Sequence, residues 1–188
     1  MSDEVQPQQR GCWRVLRTQE VYRDPWMLLT KDDVIRPDGQ PGTHTITRFK
    51  DGVSVLPLDA EDCVYLTEEF HYAVARRNLE VISGGVETSE EVLAAAAREL
   101  REEVGLTAAR WTSLGVTDPF TTQALGPVTL FLAEELTFVE AAPEGTELIR
   151  RVRVPLAEAV DLVMRSEITH APSCVLILKA ARHLNLPR

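Results

Sequence analysis

The first part of the chain alternates between apolar and polar residues in short runs, the pattern of half-buried strands. Two such runs, Trp13–Tyr22 and Trp26–Arg36, are separated by the turn residues Arg23-Asp24-Pro25, and a third covers Thr43–Phe49. We expect these three strands to form a small antiparallel sheet ahead of the main domain. Because three strands are seldom stable alone, this sheet should pack against the main domain or a second subunit.

A second series of strands and helices begins at Gly52. Strands are predicted for the short apolar runs Val53–Leu58, Cys63–Thr67, Leu79–Ile82, Trp111–Val116, Val128–Leu136 and Leu148–Val154, and amphipathic helices for Leu156–Ser166 and Pro172–Leu184. The first two strands should form a hairpin around Asp59–Asp62. This order predicts an α/β sandwich, a mixed sheet between helical layers. The expected organisation is a flexible tail over residues 1–12, the antiparallel sheet over 13–50 and the main domain over 51–188.

One further helix, within the stretch Gly84–Leu106, carries most of the chemistry that the sequence offers. Ser89 is placed to cap its start, with Glu90 and Glu91 in the first turn, where negative charge suits the helix dipole. Gly105 should end the helix. The apolar face is predicted from residues at 4-3-4 spacing, which are Leu93, Ala97, Leu100 and Val104.

Three acidic residues of this helix should lie close together. Glu99 is four residues before Glu103 and three before Glu102, so the three carboxylates converge on one side. They repel one another, and Arg98 offsets only part of that repulsion. A hard divalent cation with oxygen ligands, usually Mg²⁺, can offset the rest. The alternative is a solvated helix face of mixed charge.

The spacing of the whole stretch favours the metal site. Gly84 is followed by five residues and Glu90, then by seven residues and the run Arg98-Glu99-Leu100-Arg101-Glu102-Glu103-Val104-Gly105-Leu106. This pattern resembles the Nudix box at every defining position. The resemblance implies the Nudix fold, itself an α/β sandwich, and hydrolysis of a nucleoside diphosphate linked to another moiety. It also implies Mg²⁺ as the cofactor, with Mn²⁺ able to replace it.

The resemblance further assigns roles to the residues of the box. Gly84 and Gly85 let the backbone approach the metal and the phosphate. Glu90 and Arg98 pair to hold the loop and the helix in register. Glu103 also counts among the catalytic residues. The implied metal ligands are Ser83, through its backbone carbonyl, Glu99, Glu102 and Glu103.

The wider chain resembles the ADP-ribose pyrophosphatase branch of the family. The shared features are the N-terminal sheet, the core strand Gly52–Leu58, the pair Leu79-Glu80 before the glycine loop and a C-terminal acidic loop. The branch implies a homodimer that exchanges its N-terminal sheets and hydrolyses ADP-ribose to AMP and ribose 5-phosphate. Two departures bear on the substrate. Glu69-Phe70-His71 stands where the branch often has an arginine, and Ile82-Ser83-Gly84 replaces Pro-Ala-Gly.

The remaining candidates for the site also come from this resemblance. The general base of the branch can lie in the loop before the last core strand, which makes Glu147 the preferred candidate and Glu144 the second. Both are equally well read as exposed loop acids. Candidate substrate-binding residues are Trp13 and Trp26 for stacking on adenine, His71, Arg76 and Arg77 for phosphate, Glu80 for ribose, and Phe120 beside the ligand. Each also has a structural interpretation, as packing or as a solvated charge.

Bulk properties narrow the class of function. A chain of 188 residues with 44% hydrophobic content suits one domain with a proper core. Its net charge of −9 argues against binding to nucleic acid or to anionic membranes. Three cysteines without paired spacing, and no signal peptide or long apolar run, indicate a cytoplasmic protein.

Two alternatives to an ADP-ribose hydrolase stay open. One is a Nudix enzyme that acts on a GDP-sugar, a dinucleotide or a free nucleotide, and the other is a non-catalytic nucleotide-sensing Nudix domain.

Overall fold

The structure is a computed structural model that describes residues 8–140 and 149–185. Twelve strands and three helices are formed within these residues. In chain order they are β1 (Gln8–Arg10), β2 (Trp13–Arg23), β3 (Met27–Ile35), β4 (Pro41–Phe49), β5 (Gly52–Pro57), β6 (Cys63–His71), β7 (Arg76–Glu80), β8 (Ile82–Gly85), α1 (Val92–Val104), β9 (Leu106–Thr117), β10 (Ala124–Leu125), β11 (Val128–Phe138), β12 (Arg150–Pro155), α2 (Leu156–Met164) and α3 (Ala171–His183).

The chain divides into two compact units. Of the described residues, the first comprises 8–50 together with 120–126, and the second comprises 51–119, 127–140 and 149–185. The first unit is one sheet with the strand order β1-β2-β3-β4-β10. Its three predicted strands are confirmed, and they pair antiparallel as expected. The turn between β2 and β3 forms because the Asp24 carboxylate accepts the N–H groups of Trp26 and Met27, each at 2.8 Å.

Two short strands of the first unit were not predicted. β1 lies where a flexible tail was expected, and it pairs antiparallel with β2 across a turn at Gly11, whose φ of 59° suits a residue without a side chain. β10 lies between the predicted strands Trp111–Val116 and Val128–Leu136 and pairs in parallel with β4. Both strands are too short to leave a periodic signal in the sequence.

The second unit contains a four-stranded sheet, β8-β5-β11-β9, and a three-stranded sheet, β12-β6-β7. The four-stranded sheet is mixed, since β11 runs parallel to β5 and antiparallel to β9. α1 packs against β5, β8 and β9, whereas α3 packs against β5, β9 and β11. The hydrophobic residues of the sheet form one cluster with α1 and another with α2 and α3. The predicted α/β sandwich with a mixed sheet is therefore confirmed.

The predicted hairpin of Val53–Leu58 with Cys63–Thr67 is wrong beyond its turn. The turn itself forms, with the Asp59 N–H donating to the Cys63 carbonyl at 2.9 Å, and Leu58 pairs with Val64 in an isolated bridge. The two strands then enter different sheets, because β5 is flanked on both sides by β8 and β11.

The predicted strand Leu79–Ile82 is likewise two strands. β7 ends at Glu80 in the three-stranded sheet, and β8 begins at Ile82 in the four-stranded sheet. Between them, the N–H of Val81 donates to the Ser173 hydroxyl of α3 at 3.0 Å. The chain thus changes sheets immediately before the glycine loop.

The start and the buried face of α1 differ from the prediction, whereas its end does not. Ser89 has a φ of 68° and lies outside the helix, and the N-cap is Glu91, without a side-chain capping bond. Glu90 and Glu91 therefore precede the first turn. Gly105 ends the helix with φ 62° and ψ 46°, as expected.

Leu100 and Val104 are buried as predicted, but Leu93 is 45% exposed and Ala97 is exposed. Ala95 and Ala96 are buried in their place. Four consecutive alanines fit more than one helix face, so spacing alone did not identify the buried one.

Among the described residues, none of the helices is long and apolar enough to cross a membrane.

Candidate active site

The glycine loop and the acidic helix meet at Gly84 and Glu99. Gly84 is held in β8, where it pairs with Val53 of β5. A Cβ atom built on Gly84 would overlap the side-chain carboxylate of Glu99. Glycine is therefore required here for close approach, because any larger residue would displace either the loop or the carboxylate.

Arg98 joins the loop to the helix through five hydrogen bonds. Its Nε and Nη2 atoms donate to the two carboxylate oxygens of Glu90 at 3.0 and 3.2 Å, and Nη2 also donates to the Gly85 carbonyl at 3.0 Å. Its Nη1 atom donates to Glu99 at 2.7 Å and to Glu102 at 3.2 Å. The hydrogen bonds to Glu90 are the main reason that the pKa of Arg98 is raised. One permanent cation thus organises three carboxylates and the loop backbone.

Glu99 is a largely buried carboxyl group of this cluster. Its side chain is only 14% exposed. Burial raises its pKa above the ordinary glutamate value, Glu102 and Glu90 add to that effect, and the hydrogen bond from Arg98 opposes it. Ionised Glu99 is therefore held at a cost in free energy, which an additional positive charge nearby would relieve.

The chemistry of these donors fits a hard divalent cation, because carboxylate oxygens are its preferred protein ligands. Glu103, on the same helix, is half-buried. Within residues 8–140 and 149–185, however, no three acidic, histidine or cysteine side chains meet closely enough to hold a metal ion as they stand. Arg98 supplies the positive charge between Glu99 and Glu102. The Ser83 hydroxyl bonds to the Ser54 hydroxyl at 2.8 Å and donates to the Val81 carbonyl at 3.2 Å.

A second polar cluster is centred on Glu80, at the end of β7. One carboxylate oxygen of Glu80 lies 3.2 Å from Nε2 of His71, and the other lies 3.3 Å from Nδ1 of His170. The same nitrogen of His170 lies 2.8 Å from the hydroxyl of Ser173. Burial lowers the pKa of His170, while the Glu80 carboxylate opposes that shift. His170 is 90 residues from Glu80 along the chain, so no local sequence pattern predicts that the two lie together.

The two candidate phosphate-binding arginines already have partners in this structure. Arg76 donates to Asn78 at 2.9 Å and to Thr169 at 2.8 Å. Arg77 lies 3.8 Å from the carboxylate of Glu68. The structure therefore brings Arg98 and the carboxylates that it binds against the glycine loop, and it places Glu80 beside His71. Arg76 and Arg77 lie at the exposed end of β7.

The first unit has a pocket of its own, with a volume of about 290 Å³. Trp13 lines it, and its ring meets that of His44 edge to face, with ring centroids 5.7 Å apart. Asp32, also in the lining, is 4% exposed and accepts a hydrogen bond from Thr18 at 2.7 Å. The other two aromatic candidates, Trp26 and Phe120, are 70% and 62% exposed. The candidate bases Glu144 and Glu147 lie outside the described residues.

Comparisons with known protein families identify the domains to which both parts of the chain are similar. A family model described as a NUDIX domain matches residues 48–172, and the nucleoside diphosphate sugar hydrolase N-terminal domain matches residues 13–46. The fold resembles that of a solved structure entitled "Crystal structure of ADP compounds hydrolase", with a TM-score of 0.80 and 22% sequence identity. The match covers 91% of this chain and 93% of the other.

Curated relatives match most of the length of the chain. An ADP-ribose pyrophosphatase of Bacillus subtilis (strain 168) is 28% identical, covering 87% of this chain and 90% of its own. An ADP-ribose pyrophosphatase of Mycobacterium tuberculosis (strain ATCC 25618 / H37Rv) is 30% identical, with coverages of 85% and 78%. A methanol dehydrogenase activator of Bacillus methanolicus is 23% identical, with coverages of 87% and 90%. Nudix hydrolases generally use divalent metal ions. The chain therefore belongs to the Nudix family of pyrophosphohydrolases.

Proposed function

We propose that this protein hydrolyses the diphosphate linkage of a nucleoside-diphosphate sugar, with ADP-ribose as the lead substrate and AMP and ribose 5-phosphate as the products. The observation that carries the proposal is the contact between Gly84 and Glu99, which Arg98 ties to the rest of the box. In this contact a largely buried carboxylate lies directly against the backbone of the glycine loop. ADP-ribose is preferred because two relatives bear the name ADP-ribose pyrophosphatase.

The proposed cofactor is Mg²⁺, held by Glu99, Glu102 and Glu103 with the backbone carbonyl of Ser83, and replaceable by Mn²⁺. When bound, the cation would neutralise charge on the diphosphate oxygens and on the leaving phosphate. The chain's own part is to hold these carboxylates in position, which Arg98 does for Glu99 and Glu102. The raised pKa of Glu99 supports the assignment, since a buried carboxylate gains most from a cation.

The proposed general base is Glu147, with Glu144 as the second candidate. It would take the proton from the attacking water while the diphosphate is held at the box. Both assignments rest on the family resemblance, and the two residues precede β12 in the sequence. A carboxylate in this role typically contributes a factor of about 10² to 10⁴ in rate.

The proposed binding residues fall into two groups. Trp13, in the pocket of the first unit, is the preferred platform for adenine, with Trp26 and Phe120 as further aromatic contacts. In the second unit, His71 with Arg76 and Arg77 would bind phosphate, and Glu80 would accept hydrogen bonds from ribose.

We also propose a cytoplasmic homodimer. Three free cysteines among the described residues support a reducing compartment.

A second candidate function is the same hydrolysis of another nucleoside diphosphate derivative, such as a GDP-sugar or a dinucleotide. His71 favours it, because this position often carries an arginine in the ADP-ribose branch. His71 lies 3.2 Å from Glu80 here, and an imidazole, unlike a guanidinium, does not supply a permanent positive charge. A substrate with less charge at that point would therefore be accommodated equally well.

The test is hydrolysis of a substrate panel with Mg²⁺, followed by chromatographic identification of the products. The panel contains ADP-ribose, GDP-mannose, UDP-glucose, NADH, diadenosine polyphosphates and free nucleoside di- and triphosphates. A preference for ADP-ribose, with AMP and ribose 5-phosphate as products, is the expected result. Preference for another diphosphate would replace the substrate but keep the chemistry. No turnover with either Mg²⁺ or Mn²⁺ would overturn the proposal in favour of a non-catalytic sensing domain.

The dimer is tested by light scattering during size-exclusion chromatography. A particle of twice the chain mass of 21.0 kDa is expected. A monomer that still turns over ADP-ribose would refute the dimer and leave the hydrolase intact.

A further inference from the structure

The C-terminal end of α1 is bound by an arginine from outside the Nudix box. Arg151, in β12, donates from Nη1 to the carbonyl of Val104 at 2.6 Å. Val104 is the last residue of α1. The Arg151 guanidinium carbon lies 5.0 Å from the ring centroid of Phe138 and 5.9 Å from that of Tyr65. Two aromatic rings therefore fix the orientation of the group that holds the helix end.

We propose that Arg151 is a positioning residue for hydrolysis: by binding the carbonyl of Val104, it fixes the last turn of α1 and thereby orients Glu102 and Glu103. The inference rests on the proposed function, which assigns those two glutamates to the metal. Nothing in the box pattern includes Arg151, which lies 47 residues from Val104 along the chain.

The contact suits the physical needs of a helix end. The last carbonyl groups of a helix lack partners within the helix, and together they carry a partial negative charge. The cation of Arg151 satisfies one of these carbonyl groups and complements that charge. Gly105 completes the cap from the chain itself, since its N–H donates to the Arg101 carbonyl at 3.0 Å.

The contact also joins two parts of the second unit. β12 belongs to the three-stranded sheet, which carries His71 and Glu80, whereas α1 packs on the four-stranded sheet. Arg151 thus sets the position of the acidic helix relative to the sheet that carries candidate substrate contacts. Since a displacement of about 1 Å can cost a factor of about 10² in rate, loss of this contact should affect turnover.

The same strand offers a matched control in Arg153. It lies two residues after Arg151, so its side chain leaves the strand on the same face. Its partners are Asp59 and Glu61, each at 2.7 Å, in the turn after β5. Replacing Arg153 therefore removes an arginine and two ion pairs from β12 without touching the Val104 carbonyl.

The experiment compares Arg151→Gln, Arg151→Lys and Arg153→Gln with the wild-type chain in steady-state kinetics on ADP-ribose. Arg151→Gln should lower kcat about tenfold and leave KM within about twofold, because the acids are misplaced while the substrate pocket is kept. Arg151→Lys, which keeps the charge and a donor but not the planar group, should recover part of kcat. Arg153→Gln should match the wild type.

A second readout does not depend on activity. Amide hydrogen exchange of residues 101–105, measured without metal or substrate, should be faster in Arg151→Gln than in Arg153→Gln, because the last turn opens more often. If both variants exchange alike and have equal kcat, the inference is overturned while the hydrolase stands. If the wild type turns over no substrate, the proposed function fails, and the exchange comparison still decides whether Arg151 fixes the helix end.

Discussion

The carboxylate of Glu99 lies against the Cα atom of Gly84, so that a side chain at position 84 and the carboxylate cannot occupy the same space. The two residues come from different elements, a strand end and a helix, and they are fixed by pairing with Val53 and by Arg98. This contact explains in physical terms why the box begins with a glycine.

Replacing Gly84 by alanine should therefore lower kcat/KM about a hundredfold, since the new methyl group displaces Glu99. The measurement is steady-state hydrolysis of the preferred substrate, with circular dichroism to check the fold. Gly52→Ala is the matched control on the neighbouring strand, where the new Cβ meets a methyl group of Val128 at 3.2 Å. Equal activity of the two variants would contradict the steric explanation.

Glu99→Gln should inactivate the enzyme yet raise the melting temperature of the metal-free protein near neutral pH. Burial raises the folded-state pKa of Glu99, so the folded state binds this proton more tightly than the unfolded state does. The ionised carboxylate therefore destabilises the fold at neutral pH. That penalty disappears as the pH falls through the raised pKa, which lies above the ordinary glutamate value.

Thermal unfolding of both proteins across the acidic and neutral range measures this effect. The difference in melting temperature should be largest at neutral pH and should shrink towards acid. Glu102→Gln also alters a contact with Arg98 and serves as the control, without a comparable gain in stability. A pH-independent difference for Glu99→Gln would refute the electrostatic explanation.

If Glu103 is a metal ligand, as proposed, Glu103→Gln should reduce kcat about a thousandfold and leave the fold intact, because such a ligand contributes several kcal/mol to stabilising the transition state. Kinetics at saturating Mg²⁺, together with Mg²⁺ titration monitored by calorimetry, would test the assignment. The exposed Glu91 at the start of α1 provides the control variant Glu91→Gln. Comparable activity of Glu103→Gln and the wild type would remove Glu103 from the metal site.

Glu147→Gln should lower kcat about a hundredfold or more if Glu147 is the general base. The acid limb of the pH–rate profile should be lost with it, since that limb reports the protonation of the base. Glu144→Gln is the paired variant. If Glu144→Gln shows the larger loss of kcat while Glu147→Gln stays active, Glu144 is the general base. If neither variant changes the rate, neither side chain is the base.

Trp13→Ala should raise KM for ADP-ribose about tenfold with little change in kcat, because an aromatic platform for a base contributes about 1–3 kcal/mol to binding. The KM of Trp13→Ala is compared with that of Trp26→Ala, in which the replaced residue is 70% exposed. An unchanged KM in Trp13→Ala would place the adenine platform elsewhere, while the pocket lined by Trp13 and Asp32 would need another explanation.

Much of the local structure follows from the sequence, because each feature depends on a few neighbouring residues. The turn at Asp24 and the end of α1 at Gly105 have short-range causes, a side-chain acceptor and a left-handed backbone. The start of α1 was mispredicted although its signal is also local. Glu90 accepts hydrogen bonds from Arg98 and from the N–H of Glu87, which keeps it outside the helix.

The sequence by itself determined the family and the acidic helix, since the spacing of the box is a property of one continuous stretch. Only the tertiary structure decided which strands share a sheet, and it joined residues far apart in the chain. Val81 meets Ser173 across 92 residues, and Val104 meets Arg151 across 47. Such contacts arise from sheet pairing and burial of the whole core, which no local pattern records.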